Sequence, residues 1–376
     1  MKAKRQESSV APERSTDEAT YRVQDVPKHL VITNGDIAAA SLLGIGAADE
    51  VLAWRDVLHE GPVPATATLA ELSAIRAAFI EGAGWSGPDV AADFAARDAV
   101  LLANDAFETV TLWFEHDLYD QLQLIQILDW FATHPRRDPA SLRLVAADTY
   151  LGEMSHEQLA DLARVAAPVS DAELDLGRRA WQAFRAPSPE PVAVLAAALA
   201  ARAPMAPDEA RSRRDDDGVA TGSAHPLPHL CAALARMLDE LPDARTGLSL
   251  TEATILRLIR DGVTRPVDIF VALGDRESAR FMGDLQVYAT LDRMAAWPSP
   301  LIDGLPPPLN ARHEADERKR YLTARLRVTL IGAEVMTGHA DNLAHNAIDR
   351  WWGGTHLTKV NAWRFDRNVR RLIMAK

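Results

Sequence analysis

The sequence predicts an α/β protein: a mostly parallel, Rossmann-like sheet with flanking helices, followed by a mainly helical C-terminal region with winged-helix-like elements. Three observations predict it. Short β-branched and aromatic runs alternate with helical stretches over the first 150 residues or so, which calls for parallel strands joined by right-handed crossovers. A stretch rich in Pro, Gly and mixed charge then separates two halves of different texture. Beyond it, three helical segments precede short strand-like ones, the order of a winged helix-turn-helix.

The elements follow in order. HLVIT (His29–Thr33) is a β-type run closed by Asn34-Gly35, and a small-residue helix runs from Asp36 to about Leu43. EVLAWRD (Glu50–Asp56) is the second strand, ending in a loop that Pro62 and Pro64 keep open. Helices follow near Thr68–Glu81 and Pro88–Asn104, the first with Thr68 and Glu71 as a capping box. ETVTLWF (Glu108–Phe114) is the third strand. After Glu115-His116-Asp117, the spacing of Leu118, Leu122, Ile125 and Leu128 is helical. LRLVAAD (Leu142–Asp148) is the fourth strand, and a helix starts near His156.

From Ser170 to Ala203 Ala-rich helices are broken by prolines. Further on, Leu248–Asp261 reads as an amphipathic helix started by Ser249 or Thr251, Pro266–Leu273 as a short helix and Arg276–Ala295 as a longer one. Arg325–Gly338 reads as a strand and then a Thr-capped turn into a short helix. The expected organisation is a disordered lead-in over 1–27, an α/β domain with helical extension over 28–203, a linker over 204–226 and a C-terminal domain over 227–376.

Composition bounds the function. The chain has 376 residues, 48% hydrophobic and 25% charged, as in a globular protein with a sizeable core. No run approaches the roughly 18 apolar residues that a bilayer requires, and the polar first residues lack the apolar segment of a secretory signal. A single cysteine, Cys231, excludes an internal disulfide and a Cys-based metal cage, and fits a cytoplasmic setting. The net charge of −12 disfavours non-specific nucleic-acid binding over the whole surface. The charge is uneven: residues 311–376 hold 13 Lys and Arg against 7 Asp and Glu, a local +6 that leaves −18 elsewhere. Two readings follow, a polyanion or acidic partner near the C-terminus, or docking of the basic end on the chain's own acidic body.

In a parallel sheet ligands bind outside the carboxyl ends of the strands. Here those ends carry Asn34-Gly35-Asp36, Arg55-Asp56 with His59-Glu60, Glu115-His116-Asp117, and Asp148 with Tyr150. His116 and Asp120 share a helix face if the helix starts at Asp117, so they can orient an imidazole or hold a metal with Glu115 and Asp117. Capping explains Asp117 equally well, but explains neither Glu115 nor His116. His59 and Glu60 in a Pro-fixed loop can serve as a general base and its partner; the alternative is an exposed polar loop.

Asn34-Gly35-Asp36 opens a helix whose N–H groups can hold a phosphate, although Asp36 repels an anion unless a metal intervenes. An Asp36 N-cap, or a sugar or amide ligand held by Asn34 and Asp36, fits as well. Arg55 can clamp an anionic group, and Asp56, Tyr119 and Asp120 complete the candidate binding set. In RWWGGTHL the adjacent Trp351 and Trp352 cannot share a face, so one packs and the other meets something; Trp352 and His356 are candidates for the site. No GxSxG elbow, HExxH, GxGxxG, Walker A loop or Cys/His zinc spacing occurs.

HLVITNGD, WRDVLHEGPVP, WFEHDLYDQLQL and IDRWWGGTHL together resemble the bacterial family called domain of unknown function 1835. The resemblance covers about residues 29–150, with FMGD and RWWGGTHL resembling the region that usually accompanies it. It implies that these motifs recur together and assigns no catalytic role. Three functions are expected on the residues. The first is a hydrolase or transferase acting on a small polar, nucleotide-like ligand, with His116 or His59 as acid/base and Glu115, Glu60 and Asp36 orienting it or binding a divalent ion. The second is a ligand-sensing regulator whose winged-helix-like half, with its basic stretch, contacts DNA or a protein. The third is a scaffold subunit of a complex, with Trp351–Trp352 as its contact.

Overall fold

A computed structural model describes residues 28–66, 68–86, 89–202, 225–309 and 314–374. The expected lead-in over 1–27 and nearly all of the expected linker over 204–226 lie outside the described residues. Five strands build the main sheet: β1 (His29–Thr33), β2 (Glu50–Ala53), β3 (Thr109–Phe114), β4 (Leu142–Ala146) and β5 (Ala167–Pro168), in the order β2-β1-β3-β4-β5. The first four run parallel, and β5 pairs antiparallel with β4.

Register follows from alternation along the strands. Ile32 sits beside Leu112, and Leu112 beside Leu144. These side chains, with Leu30, Val110 and Phe114, face one core, whereas Val31, Trp113 and Val145 face the other. Helices cover both faces, which is why the strands read as near-continuous apolar runs. α1 (Asp36–Gly44) and α5 (His156–Ala163) cover the Trp113 face through Ala38, Leu42 and Leu159. On the other face lie α2 (Leu69–Gly82), α3 (Val90–Leu102) and α4 (Leu118–Thr133). The Thr68–Glu71 capping box forms at the start of α2, as its residue types predict.

α4 is the central helix. Leu122, Ile125, Ile127 and Leu128 are fully buried, contributing roughly 6–12 kcal/mol of transfer free energy before the entropy of ordering them. It is buried on nearly every side because α6 (Asp171–Phe184) lies along it. Gly177 permits that approach: a Cβ there would stand 2.5 Å from Leu128 Cβ. Buried glutamines then tie α4 to the loop after β2. Gln123 Nε2 donates to the Asp56 carbonyl at 2.9 Å, and Gln126 Oε1 accepts from Trp54 Nε1 at 2.8 Å.

The C-terminal part is helical. α7 (Glu190–Ala200) and the helix Leu230–Leu238 join the α4–α6 core. A second core gathers around the helices Leu250–Arg260, Pro266–Gly274 and Asp284–Ala296, and includes Ile255, Leu258, Leu291 and Val335. Ser249 forms the capping box of the first of these, with Glu252. The third begins at Asp284, not at Arg276 as the sequence suggests. Residues 275–283 form an irregular connection of turns and bends, which leaves Phe281 in the first core and Met282 against both. Only Arg327–Val328 of the expected strand is extended; it pairs with Ile302–Asp303 before Thr329 caps the helix Leu330–Thr337.

The chain then returns to the first core. β8 (Arg350–Trp352) and β9 (Thr355–Leu357) form a hairpin that places Trp352 and Leu357 beside Phe184. The Gly353-Gly354 turn lies against the end of α6, where a Cβ on Gly354 would stand 2.0 Å from the Arg185 carbonyl oxygen. The basic end docks on the chain's own carboxylates: Arg364 on Asp341, Arg367 on Asp243 and Arg370 on Asp239. Among the described residues no helix is long and apolar enough to cross a membrane.

Candidate functional site

The strand order reverses between β1 and β3, since β2 lies outside β1 and β4 lies outside β3. The carboxyl ends of these neighbours carry Asn34 and Glu115, and the crevice beyond such a point is where an open α/β sheet binds ligands. Asp117 caps α4, its Oδ1 accepting from the Tyr119 N–H at 2.8 Å and the Asp120 N–H at 3.2 Å. Capping sets the first turn of α4 so that Asp120 points back toward the sheet. Its Oδ1 accepts from the Glu115 N–H at 2.7 Å, and its Oδ2 from Asn34 Nδ2 at 2.8 Å. Glu115 Oε1 accepts from the Leu151 N–H at 2.7 Å.

Three buried carboxylates therefore converge: Glu115, Asp117 and Asp120 each offer an oxygen within 4.8 Å of the others. Burial raises all three carboxyls; repulsion adds to it, from Glu153 on Glu115, from Glu115 on Asp117, and from Asp117 and Glu115 on Asp120, with Asp117 pushed up to about 7. Such a group can both give and take a proton near neutrality. The oxygens are also hard donors suited to a divalent ion. Both oxygens of Asp120, Glu115 Oε1 and Asp117 Oδ1 already accept N–H donors, so an ion here would share these oxygens with their donors.

Two adjoining cavities open here. One, of about 340 Å³, is lined by the three carboxylates, His59, Tyr119, Tyr150 and Phe281. The other, of about 590 Å³, runs from Asn34, Asp36 and Ile37 under Phe270, Val271, Leu273 and Val287 of the second core. They share Asn34, Glu115, Tyr119, Tyr150, Arg280, Phe281 and Met282 as walls. Among the described residues seven carboxylates line the pair of cavities against one cationic side chain, Arg280. Arg280 is held by Glu153 and lies over the Tyr150 ring, and its backbone N–H donates to the Tyr150 hydroxyl.

The histidines fall differently from expectation. His116 precedes the helix rather than sharing a face with Asp120, because Asp117 is the cap. Its ring packs against Tyr150 and His229, at 5.0 and 6.0 Å between centroids, and its buried Nδ1 has no hydrogen-bond partner. Burial lowers its pKa, with Asp148 opposing. Asp148 itself is exposed, 3.3 Å from His229 Nε2. His59 lines the smaller cavity, edge-on to Tyr119 and Phe281. It is only 9% exposed, and neither ring nitrogen has a hydrogen-bond partner. Burial holds its pKa down to about 3, so it is neutral.

Glu60 faces a separate space of about 10 Å³ with Glu240, Arg350 and Trp352, room for one water. Burial raises its pKa, with Arg293 opposing.

Several candidates are occupied elsewhere. Asp36 does not cap α1; Gly35 holds that position without a side-chain bond, and Asp36 pairs instead with Arg55, Nε to Oδ1 at 2.8 Å. Arg55 is thereby committed to a carboxylate rather than left to clamp an anion. Asp56 is fully buried on Arg76, which also donates to the carbonyls of Glu60 and Val57, so this pair shapes the His59 loop from beneath. Trp352 is a core residue whose Nε1 donates to the Met237 carbonyl at 2.9 Å. His356 stacks on Trp351 and pairs with Asp349, at the surface.

The walls that sequence reasoning missed are Arg280, Phe281, Met282, Phe270 and Gln286. Nothing local marks them as site residues, because they come from the second half of the chain; FMGD, which holds Phe281 and Met282, entered only through the family resemblance and carried no role. The chain matches no protein-family model and no curated protein.

Proposed function

We propose that the protein is a hydrolase or transferase that binds a small polar ligand in the crevice at the β1 and β3 strand ends. Glu115, Asp117 and Asp120 supply its acid/base chemistry, with Asn34 and Tyr119 fixing their geometry. The convergence of three buried carboxylates on the wall of a ligand-sized cavity, at the reversal of strand order, carries this reading. Their raised pKa values suit proton transfer at neutral pH. The histidines take a secondary place: neutral His59 is part of the cavity wall, and His116 supports Tyr150.

The Rossmann-like reading of the sheet and the resemblance to the domain of unknown function 1835 family belong to the same proposal. HLVITNGD contributes Asn34, WFEHDLYDQLQL the carboxylates and FMGD the roof. The test is turnover of a panel of chromogenic esters, amides, glycosides and phosphoesters. Asp117→Asn should lower any activity found by about 10²–10⁴-fold; an activity that survives both Asp117→Asn and Glu115→Gln overturns the proposal.

A second reading, a ligand-responsive regulator, has one observation in its favour. The larger cavity takes walls from both cores, so a ligand there links their positions. In it the helices Leu250–Arg260, Pro266–Gly274 and Asp284–Ala296 with the short β6–β7 pair (Ile302–Asp303, Arg327–Val328) form the winged-helix-like unit.

A further inference from the structure

We infer that the crevice selects an organic ammonium ligand, whose charged head enters the carboxylate cavity and whose apolar body lies in the adjoining one. The inference rests on the crevice being the ligand site and names the class of ligand it takes.

The sign of the charge comes first. Among the described residues no guanidinium or ammonium is bonded to Glu115, Asp117 or Asp120, and Arg280, the cationic wall, is engaged by Glu153. Burial favours the protonated form of these carboxyls in the empty cavity; a cationic head stabilises their ionised form, whereas a carboxylate or phosphate head finds no free counter-charge there. His59 supports the same sign. It lines this cavity and the small space beside Glu60, burial keeps it neutral, and both ring nitrogens are sealed from solvent, so it brings no competing positive charge to the wall.

The nature of the cation comes from the remaining walls. Calcium takes about 6–8 oxygens and magnesium a near-octahedral set. The three carboxylates here already share their oxygens with N–H donors, and the cavity continues not with further oxygens of an ion cage but with aromatic rings: Tyr119, Tyr150 and Phe281. Carboxylates surrounded by ring faces and edges suit an alkylammonium, which gains charge-assisted hydrogen bonds and cation–π contact together. The larger cavity continues this with Ile37, Phe270, Val271, Leu273 and Val287, an apolar wall for a chain of several carbons. Ile37 and Val271 are 75% and 56% exposed, so the wall extends to the mouth of the crevice.

The test is isothermal titration of the full chain with hexylammonium, hexan-1-ol, hexanoate and magnesium chloride, repeated on Glu115→Gln and on Ile37→Lys. Ile37 is exposed, so its variant keeps the fold if the buried substitution does not. Hexylammonium should bind, hexanol and hexanoate at least about tenfold more weakly, and both variants should weaken hexylammonium by about tenfold or more. Equal binding of hexanol and hexylammonium, both lost in Ile37→Lys, overturns the ammonium inference while leaving the crevice as a ligand site. Magnesium binding that Glu115→Gln abolishes, without hexylammonium binding, overturns it in favour of a divalent ion. Hexylammonium binding that neither variant changes overturns both the inference and the crevice as its site, and the absence of hexylammonium binding overturns the inference.

Discussion

Asn34 Nδ2 donates to Asp120 Oδ2 at 2.8 Å, a fully buried bond that joins the end of β1 to the first turn of α4. It spans the point where the strand order reverses, and it holds one of the three carboxylates in place. Asn34→Ala leaves that oxygen buried without its donor, so it should cost about 1–3 kcal/mol of stability, read from the urea midpoint. A variant within about 0.5 kcal/mol of wild type would mean the bond does not organise the site.

The buried charges give opposite pH dependences. Burial raises Asp117 from its ordinary 3.8 to about 7, so the folded state binds a proton that the unfolded state has released, and this contribution to stability is lost as pH rises from about 4 to 7. His59 is lowered from 6.5 to about 3, so its contribution is full above 6.5 and lost as pH falls toward 3. Melting temperature against pH separates them. Asp117→Asn should lessen the decline on the alkaline side of pH 4, to which Glu115 and Asp120 also contribute, and His59→Gln the decline below pH 6.5. Unchanged profiles in both variants would contradict these environments.

Arg76 and Asp56, both fully buried and 2.9 Å apart, fix the loop that carries His59. Arg76→Met strands the Asp56 carboxylate and should cost about 3–5 kcal/mol, with part recovered in Arg76→Met/Asp56→Leu. Chemical denaturation of the single and double variants measures this; a double variant no more stable than the single would show that the charge of Asp56 is not what the arginine answers.

Gly354 passes so close to the Arg185 carbonyl that Gly354→Ala must push the β8–β9 hairpin off α6. A loss of about 1–3 kcal/mol is expected, with altered near-ultraviolet circular dichroism from Trp352. A neutral substitution would mean that the hairpin is free to shift.

The sheet was legible because its strands are short, β-branched and separated by helical spacing, and the residue types at Thr68, Asp117 and Ser249 announce their caps. Asn34 and the Glu115–Asp120 segment were legible as site residues because polar groups follow core strands. What they do was not. The sequence places His116 beside Asp120 only if the helix starts one residue early, and the cap at Asp117 removes that alignment. Arg55, Asp36 and Asp56 look available in sequence because their partners, each other and Arg76, lie about 20 residues away along the chain. The roof at Phe281 and Arg280 was hidden for the same reason at greater range: it folds back from the second core.

We propose the crevice at the β1 and β3 ends as the place where this protein meets its ligand. The most direct measurement is a thermal-shift screen of a chemically diverse small-molecule library on wild type, Asp117→Asn and a surface variant, His356→Ala. Compounds that stabilise the wild type should do so with the logarithm of their concentration over Kd, lose their effect in Asp117→Asn and keep it in His356→Ala. Compounds that stabilise Asp117→Asn as strongly as wild type and fail with His356→Ala would place the site at the C-terminal hairpin and contradict the claim.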